Sequence, residues 1–138
     1  MRRACVFGMG AVIGLLAGVL APVMFVAACV WDDRMEWSTL TKPEAVPYLA
    51  VLASLGLLNG VVGAWDGWRS GLCRGWPVAW APALLFLFPL AEFAQYPSDS
   101  KIWGPALLAV GIVAPFVWVG GRVAQEIGAR GRQRHAKP

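Results

Sequence analysis

The chain has 138 residues, of which 58% are hydrophobic and 14% are charged, and its formal net charge is +4. About a quarter of the residues of a soluble domain are charged, and this chain has too few polar side chains to cover a soluble core. The charges also fall in clusters between long uncharged segments. These features exclude a soluble enzyme domain, a disordered tail and a coiled coil, and they predict an integral membrane protein.

Four segments are long and apolar enough to cross a bilayer as helices, which takes about 20 residues at about 1.5 Å each. We predict helices over residues 4–31, 46–66, 76–96 and 103–124. No alternation of polar and apolar residues typical of a membrane β-barrel occurs. The sequence therefore predicts an all-α integral membrane protein, in which residues 1–138 form a single domain with four transmembrane helices in an antiparallel bundle with short loops.

The first helix carries a regular stripe of small residues, Gly10, Gly14 and Gly18, and the second helix carries a shorter one, Gly56 and Gly60. Such glycine zippers allow two helix backbones to approach closely, because lipid supplies no hydrophobic drive for association. We expect these two helices to pack against each other within the bundle. The alternative is that the stripe contacts a second copy or another membrane protein.

The first segment also resembles a signal peptide, because two arginines precede its apolar run and Val26–Cys29 resembles a bacterial lipoprotein cleavage box. Cleavage there would leave Cys29 as a lipidated N-terminus and three spanning helices. The run of about 28 apolar residues, however, exceeds the 7–15 residues usual for a signal peptide. We therefore expect the first helix to be retained.

Two polar residues of the predicted spans, Asn59 and Glu92, are candidates for an intramembrane role. Asn59 lies in the middle of the second helix, where its amide is expected to hydrogen-bond across a helix interface. Glu92 lies about one turn from the end of the third helix, and an intramembrane carboxylate is a candidate proton relay or cation ligand. A structural or interfacial role for Glu92 is the simpler interpretation, since a side chain near Tyr96 can reach the headgroups.

Basic residues favour one side of the predicted bundle. The N-terminus, the loop between helices two and three and the C-terminal tail hold nine of them, and the other loops hold three. Basic residues stay on the cytoplasmic side, so both termini are predicted to be cytoplasmic (N-in/C-in). The acidic residues of the opposite loops, including Asp32 and Asp33, are interpreted as loop polarity in preference to a cation site. The net charge is thus a signal of topology and does not indicate nucleic-acid binding.

The segment 128–138 combines glycines with dense basic residues and is predicted to be a disordered cytoplasmic tail. Four arginines are expected at the membrane surface, where each attracts anionic lipid by about 1 kcal/mol: Arg122, Arg130, Arg132 and Arg134. The single histidine, His135, lies in this tail, and no CxxC pair occurs. The sequence therefore predicts no catalytic residue, cofactor or metal site.

The best functional hypothesis is a small multi-pass protein that acts through helix–helix contacts, as an accessory or scaffolding subunit of a membrane complex or as a homo-oligomer. Its expected partners are the lipid bilayer and either another membrane protein or a second copy. The residue usage favours a bacterial cytoplasmic membrane. The alternatives are a small transporter or channel lined by Glu92 and Asn59, and a holin-like protein that forms membrane lesions.

Overall fold

The computed structural model describes residues 3–31, 36–74 and 76–135. Within these ranges the chain forms helices and short 3-10 turns and contains no strand, so the all-helical prediction is confirmed. The α-helices in chain order are α1 Arg3–Trp31, α2 Val46–Ser70, α3 Trp80–Leu85, α4 Leu87–Gln95 and α5 Ser100–His135. The 3-10 turns are Trp37–Thr41, Pro43–Ala45 and Trp76–Val78.

Three helical segments are long and apolar enough to cross a membrane. Their mean hydropathy is 2.5 for Arg3–Trp31, 1.7 for Val46–Ser70 and 1.8 for Gly104–Arg134. A further apolar helical segment, Trp80–Gln95, is shorter. By helix length and composition the chain is therefore a membrane protein, and its described residues provide three candidate spans.

The segment predicted as the third helix, 76–96, is broken twice, and prolines account for both breaks. Proline has no N–H to donate, and its ring clashes with the carbonyl four residues earlier. In a continuous helix the ring of Pro82 would clash with the carbonyl of Val78, and the 3-10 turn ends at Val78. The ring of Pro89 would likewise clash with the carbonyl of Leu85, where α3 ends. The predicted helix is thus replaced by a 3-10 turn and two short helices.

The last helix, α5, continues to His135, well past the predicted end at residue 124. Gly128 and Gly131 are buried on this extension, and a Cβ added at Gly131 would lie 2.9 Å from Val6 Cγ2 on α1. Close packing against the neighbouring helices stabilises a segment whose composition alone favours disorder. Residues 128–135 are therefore helical and not disordered as predicted, and residues 136–138 lie outside the described residues.

The first two long helices, α1 and α2, are antiparallel and in close contact. Gly10 lies against Gly60, and Gly18 lies against Leu52, so the pairing runs in opposite directions along the two helices. The buried positions of α1 recur mainly every three or four residues, as one face of a helix does. They are Val6, Gly10, Gly14, Gly18, Ala21, Pro22 and Val26.

The last helix runs in the same direction as α2 and completes a three-helix core. Asn59 hydrogen-bonds to Val117, and Gly67 lies against Gln125 eight residues further along both helices, so the two helices are parallel. Because α2 and α5 are parallel, the chain between them, residues 71–99, returns from one end of the core to the other.

Two clusters of buried residues lie among these helices. One consists of Ala21, Ala81, Val113 and Val117, and the other of Val6, Ala64 and Ala124. The second cluster lies toward the end of the core that carries Arg3, Arg69 and Arg122, which we call the basic end. All seven of these side chains are alanine or valine, and such small residues allow the helix axes to approach closely.

Candidate functional site at the basic end of the core

A fully buried glutamine, Gln125, joins three parts of the chain at the basic end. Its Nε2 donates to Asp66 Oδ2 on α2 at 2.6 Å and to the backbone carbonyl of Arg74 in the following loop at 2.7 Å. Its Oε1 accepts from Arg122 Nη1, one turn earlier on α5, at 2.8 Å. The side chain is 0% exposed. Both amide hydrogens and the acceptor oxygen of Gln125 are therefore used.

This cluster connects a carboxylate to a guanidinium through a neutral amide. Burying a charged group is costly unless hydrogen bonds compensate for the lost water. Asp66 and Arg122 are both half-buried, and each makes such a bond to Gln125. The geometry can hold α2, α5 and the loop together, and it also fixes the direction in which Arg122 leaves the helix.

Glycines bring α2 and α5 close enough for this cluster to form. A Cβ added at Gly67 would overlap with the backbone of Gln125, and one at Gly128 would overlap with the carbonyl of Ala64. A Cβ added at Gly63 would lie 3.2 Å from the carbonyl carbon of Gly121. No side chain larger than hydrogen fits at these positions without moving a backbone.

Asp66, Gln125 and the second glycine stripe, Gly63 and Gly67, are not among the residues predicted from the sequence. Asp66 is the last residue of the predicted second helix, and Gln125 follows the predicted end of the fourth helix. The spacing of Gly63 and Gly67 is the same small-residue signal that identified Gly56 and Gly60. A helix with two such stripes on different faces can contact two neighbours, and α2 contacts both α1 and α5.

The glycines predicted to pack helices lie at the contact between α1 and α2. A Cβ at Gly10 would lie 2.8 Å from the carbonyl oxygen of Gly60, and a Cβ at Gly14 would lie 2.8 Å from the Cα of Gly60. Added carbons at Gly18 and Gly56 would likewise overlap with backbone atoms of the opposite helix. The stripe of α1 is thus covered within the chain by α2.

The amide of Asn59 is fully buried between α2 and α5. Its Nδ2 donates to the carbonyl of Val117 at 3.0 Å, and its Oδ1 accepts from no described residue. A Cβ at Gly121 would lie 2.5 Å from Nδ2 and 2.9 Å from Val78 Cβ. The missing side chain at Gly121 therefore provides the space that the amide occupies.

The structure does not bring the two predicted intramembrane polar residues together. Asn59 lies beside Val78, at the beginning of the broken segment 76–95, whereas Glu92 lies near its end. Glu92 is half-buried on α4, and its carboxylate makes no hydrogen bond or ion pair with a described residue. Asn59 instead shares one face of α2 with Asp66, two turns further on, and both bond to α5.

The four arginines predicted at the membrane surface have different surroundings. Arg130 forms an exposed ion pair with Glu126 at 2.5 Å, and Arg134 is exposed. Arg132 donates to the carbonyl of Arg69 at the C-terminal end of α2, where a positive charge is favourable. Arg122 alone among the four belongs to the Gln125 cluster.

Arginine–tryptophan pairs surround the basic end. The guanidinium carbons of three arginines lie over indole rings: Arg3 over Trp68 at 5.8 Å, Arg69 over Trp65 at 5.3 Å and Arg122 over Trp118 at 5.8 Å. Cation–π contacts of this length contribute about 0.5–1 kcal/mol when exposed. Tryptophan favours the headgroup level of a bilayer, so these pairs mark the depth at which the polar surface begins.

A cleft of about 320 Å³ opens beside Arg122. Trp118, Val119 and Val123 of α5 form its apolar walls, and Cys73 and Glu126 complete the lining. Its polar groups are therefore a guanidinium, a thiol and a carboxylate that is paired with Arg130. The described residues contain no group of three metal-ligating side chains.

Asp32 and Asp33, interpreted from the sequence as loop polarity, lie outside the described residues. The described cysteines, Cys5, Cys29 and Cys73, are not joined in a disulfide.

Comparison of the chain with protein-family models, curated proteins and solved structures finds no match. The candidate site is accordingly defined by its own geometry: the Gln125 cluster and the adjoining cleft.

Proposed function

We propose that this protein spans a bacterial cytoplasmic membrane four times and acts through helix–helix contact, as an accessory or scaffolding subunit of a membrane assembly or as a homo-oligomer. One observation carries the proposal. The short helices α3 and α4 pack against one side of the glycine-packed core, and an apolar cleft lies on each side of α4. The core is a stable support, and the clefts are the surface on which another helix can pack.

The parallel direction of α2 and α5 supports four crossings. If α2 and α5 both span the membrane in the same direction, the connection between them must cross it once in the opposite direction. Trp76–Gln95 is the helical part of that connection. Its 20 residues, in mixed 3-10 and α geometry, extend about 30 Å, which is the thickness of the hydrocarbon core. The proline breaks are tolerated where neighbouring helices cover the backbone.

The distribution of charge supports the proposed orientation. The basic end carries the N-terminus of α1, the C-terminal end of α2 and the arginine-rich part of α5. Positive residues in short loops remain on the cytoplasmic side. Both termini and the loop after α2 are therefore proposed to be cytoplasmic.

The clefts beside α4 have the shape and composition of a packing surface. One, of about 390 Å³, lies between α4, α2 and α5 and is lined by Tyr48, Leu52, Phe88 and neighbouring apolar residues. The other, of about 290 Å³, includes Phe86 and Leu90. Because helices in lipid associate through van der Waals fit, recesses beside protruding aromatic side chains favour a partner helix at this position.

Cysteine labelling tests the number of crossings. In a variant that retains Cys73 alone, we expect a membrane-impermeant maleimide to label intact spheroplasts only after permeabilisation. In a cysteine-less background, Ser98→Cys should react before permeabilisation, because it lies in the turn at the opposite end. Labelling of both positions from the same side would contradict four crossings.

Site-specific photo-crosslinking tests the proposed contact surface. A photoreactive residue at Leu90, on the exposed side of α4, should give an adduct of defined mass in native membranes. The same residue at Leu16, equally exposed on α1, is the matched control and should give mainly lipid adducts. Mass spectrometry then distinguishes another protein from a second copy. Equal yields at both positions, or a lone monomer after purification in mild detergent, would reject the proposal.

A further inference from the structure

Arg122 is held in position before any ligand arrives. Its Nη1 donates to Gln125 Oε1 at 2.8 Å, and its guanidinium lies over the Trp118 ring at 5.8 Å. Gln125 is fully buried and is itself fixed by Asp66 and by the carbonyl of Arg74. A guanidinium has five N–H donors in a rigid plane. Gln125 therefore orients the Arg122 side chain while leaving most of its donors for another acceptor.

The positive charge of Arg122 has no carboxylate partner in the described part of the chain. Asp66 receives its hydrogen bond from Gln125, and Glu126, which lines the same cleft, is paired with Arg130 at 2.5 Å. Arg122 reaches Asp66 only through the neutral amide. The cleft thus presents an oriented, uncompensated cation, and charge complementarity favours an anion there.

The surroundings of Arg122 are those of the bilayer interface. Trp118 and Val119, which precede Arg122 on α5, form apolar walls on the side of the hydrocarbon core, and Val123 completes the apolar lining. Arg122 lies 18 residues after Gly104, where the apolar span of α5 begins, and this distance is about 27 Å along the helix. It is close to the thickness of a hydrocarbon core, so the guanidinium lies where lipid phosphates do.

We infer that the cleft beside Arg122 binds the phosphodiester of an anionic phospholipid in the leaflet at the basic end. The planar guanidinium donates to phosphate oxygens, a geometry for which arginine is better suited than lysine. The first carbons of an acyl chain lie along Trp118 and Val119, which precede Arg122 on α5. This inference rests on the membrane insertion in the proposed function and not on the accessory role, which crosslinking at Leu90 tests separately.

Native mass spectrometry of the delipidated full chain in detergent tests this site, with phosphatidylglycerol as the anionic probe and phosphatidylcholine as the zwitterionic one. Arg122→Gln should weaken phosphatidylglycerol binding roughly tenfold, because it removes both charge and bidentate donation. Arg130→Gln, which changes an ion-paired arginine on the same helix, should weaken it less than about twofold. Arg122→Lys should give an intermediate loss.

A further variant and a competitor show whether a loss of binding comes from misfolding, and whether the ligand is a lipid or free phosphate. Val119→Phe fills the cleft wall without altering the Gln125 cluster and should reduce binding as Arg122→Gln does, with an unchanged circular dichroism spectrum. Inorganic phosphate should not displace the lipid, because it lacks the acyl chain. Equal losses in Arg122→Gln and Arg130→Gln would indicate diffuse surface charge and overturn the inference. Competition by inorganic phosphate, or full binding in Val119→Phe, would overturn it as well.

Discussion

The side chains of Gln125 and Asp66 meet across the interface of two parallel helices, with Nε2 of the glutamine 2.6 Å from Oδ2 of the aspartate. The two residues are 59 positions apart in the chain. The same amide nitrogen also reaches the loop after α2 at the carbonyl of Arg74. One buried side chain therefore connects the second helix, the loop and the last helix. Its removal should affect all three.

Replacing Gln125 by leucine should destabilise the protein by about 1–3 kcal/mol, because it leaves polar groups of Asp66, Arg122 and Arg74 without their partner. The volume of the side chain is nearly kept, so a cavity does not account for the loss. Thermal unfolding in detergent, followed by circular dichroism, measures the change. Gln133→Leu, at an exposed position of the same helix, is the control. Equal midpoints for the two variants would show that the cluster contributes nothing to stability.

Replacing Gly14 by alanine should separate α1 from α2. The new Cβ would overlap with the backbone of Gly56 and Gly60, and relief of such overlap by backbone movement costs about 1–3 kcal/mol. The same substitution at Gly8 is a matched control on the same helix, since nothing lies within 4 Å of its added Cβ. Gly8→Ala should be neutral or stabilising by up to about 1 kcal/mol, because alanine favours helix. Unfolding midpoints that fall equally in both variants would contradict this packing.

Replacing Gly121 by alanine should disturb the contact between Asn59 and α5, because the added Cβ would lie 2.5 Å from Asn59 Nδ2. We expect a loss of about 1–3 kcal/mol. Gly111→Ala, with open space around its Cβ, should cost nothing on the same helix. In an Asn59→Ala background, Gly121→Ala should reduce the free energy of unfolding by less, because the amide that the new Cβ overlaps is absent. Strict additivity in this double-mutant cycle would show that the two positions do not interact.

Replacing Glu92 by glutamine should change the free energy of unfolding by about 0.5 kcal/mol or less, because the carboxylate has no partner among the described residues. Asp66→Asn, by contrast, weakens a charge-assisted bond to Gln125 and should cost more. Solute flux in liposomes is the second measurement for this pair. Flux that the wild-type protein supports and Glu92→Gln abolishes would favour the transporter hypothesis over the accessory one.

The break in the third predicted helix was partly accessible from the sequence. Pro82 and Pro89 predict disturbance of their helix, but Pro22 in α1 and Pro115 in α5 predict the same and lie inside continuous helices. Whether a proline interrupts a helix depends on the neighbours that cover the carbonyl it leaves unpaired. That information is tertiary and is not contained in the local pattern.

The sequence by itself determined that the chain is all-helical and membrane-like, and where its first two long helices lie. Backbone N–H and C=O groups in lipid must form their hydrogen bonds within one segment, so a sufficiently long uncharged segment by itself predicts a helix. Tertiary structure decided which faces meet: Gly63 and Gly67 pack on α5, Asp66 finds Gln125, and α5 stays helical to His135. In a chain that is apolar on every side, no hydrophobic periodicity marks the buried face. Close fit between small residues and a few distant hydrogen bonds select it instead.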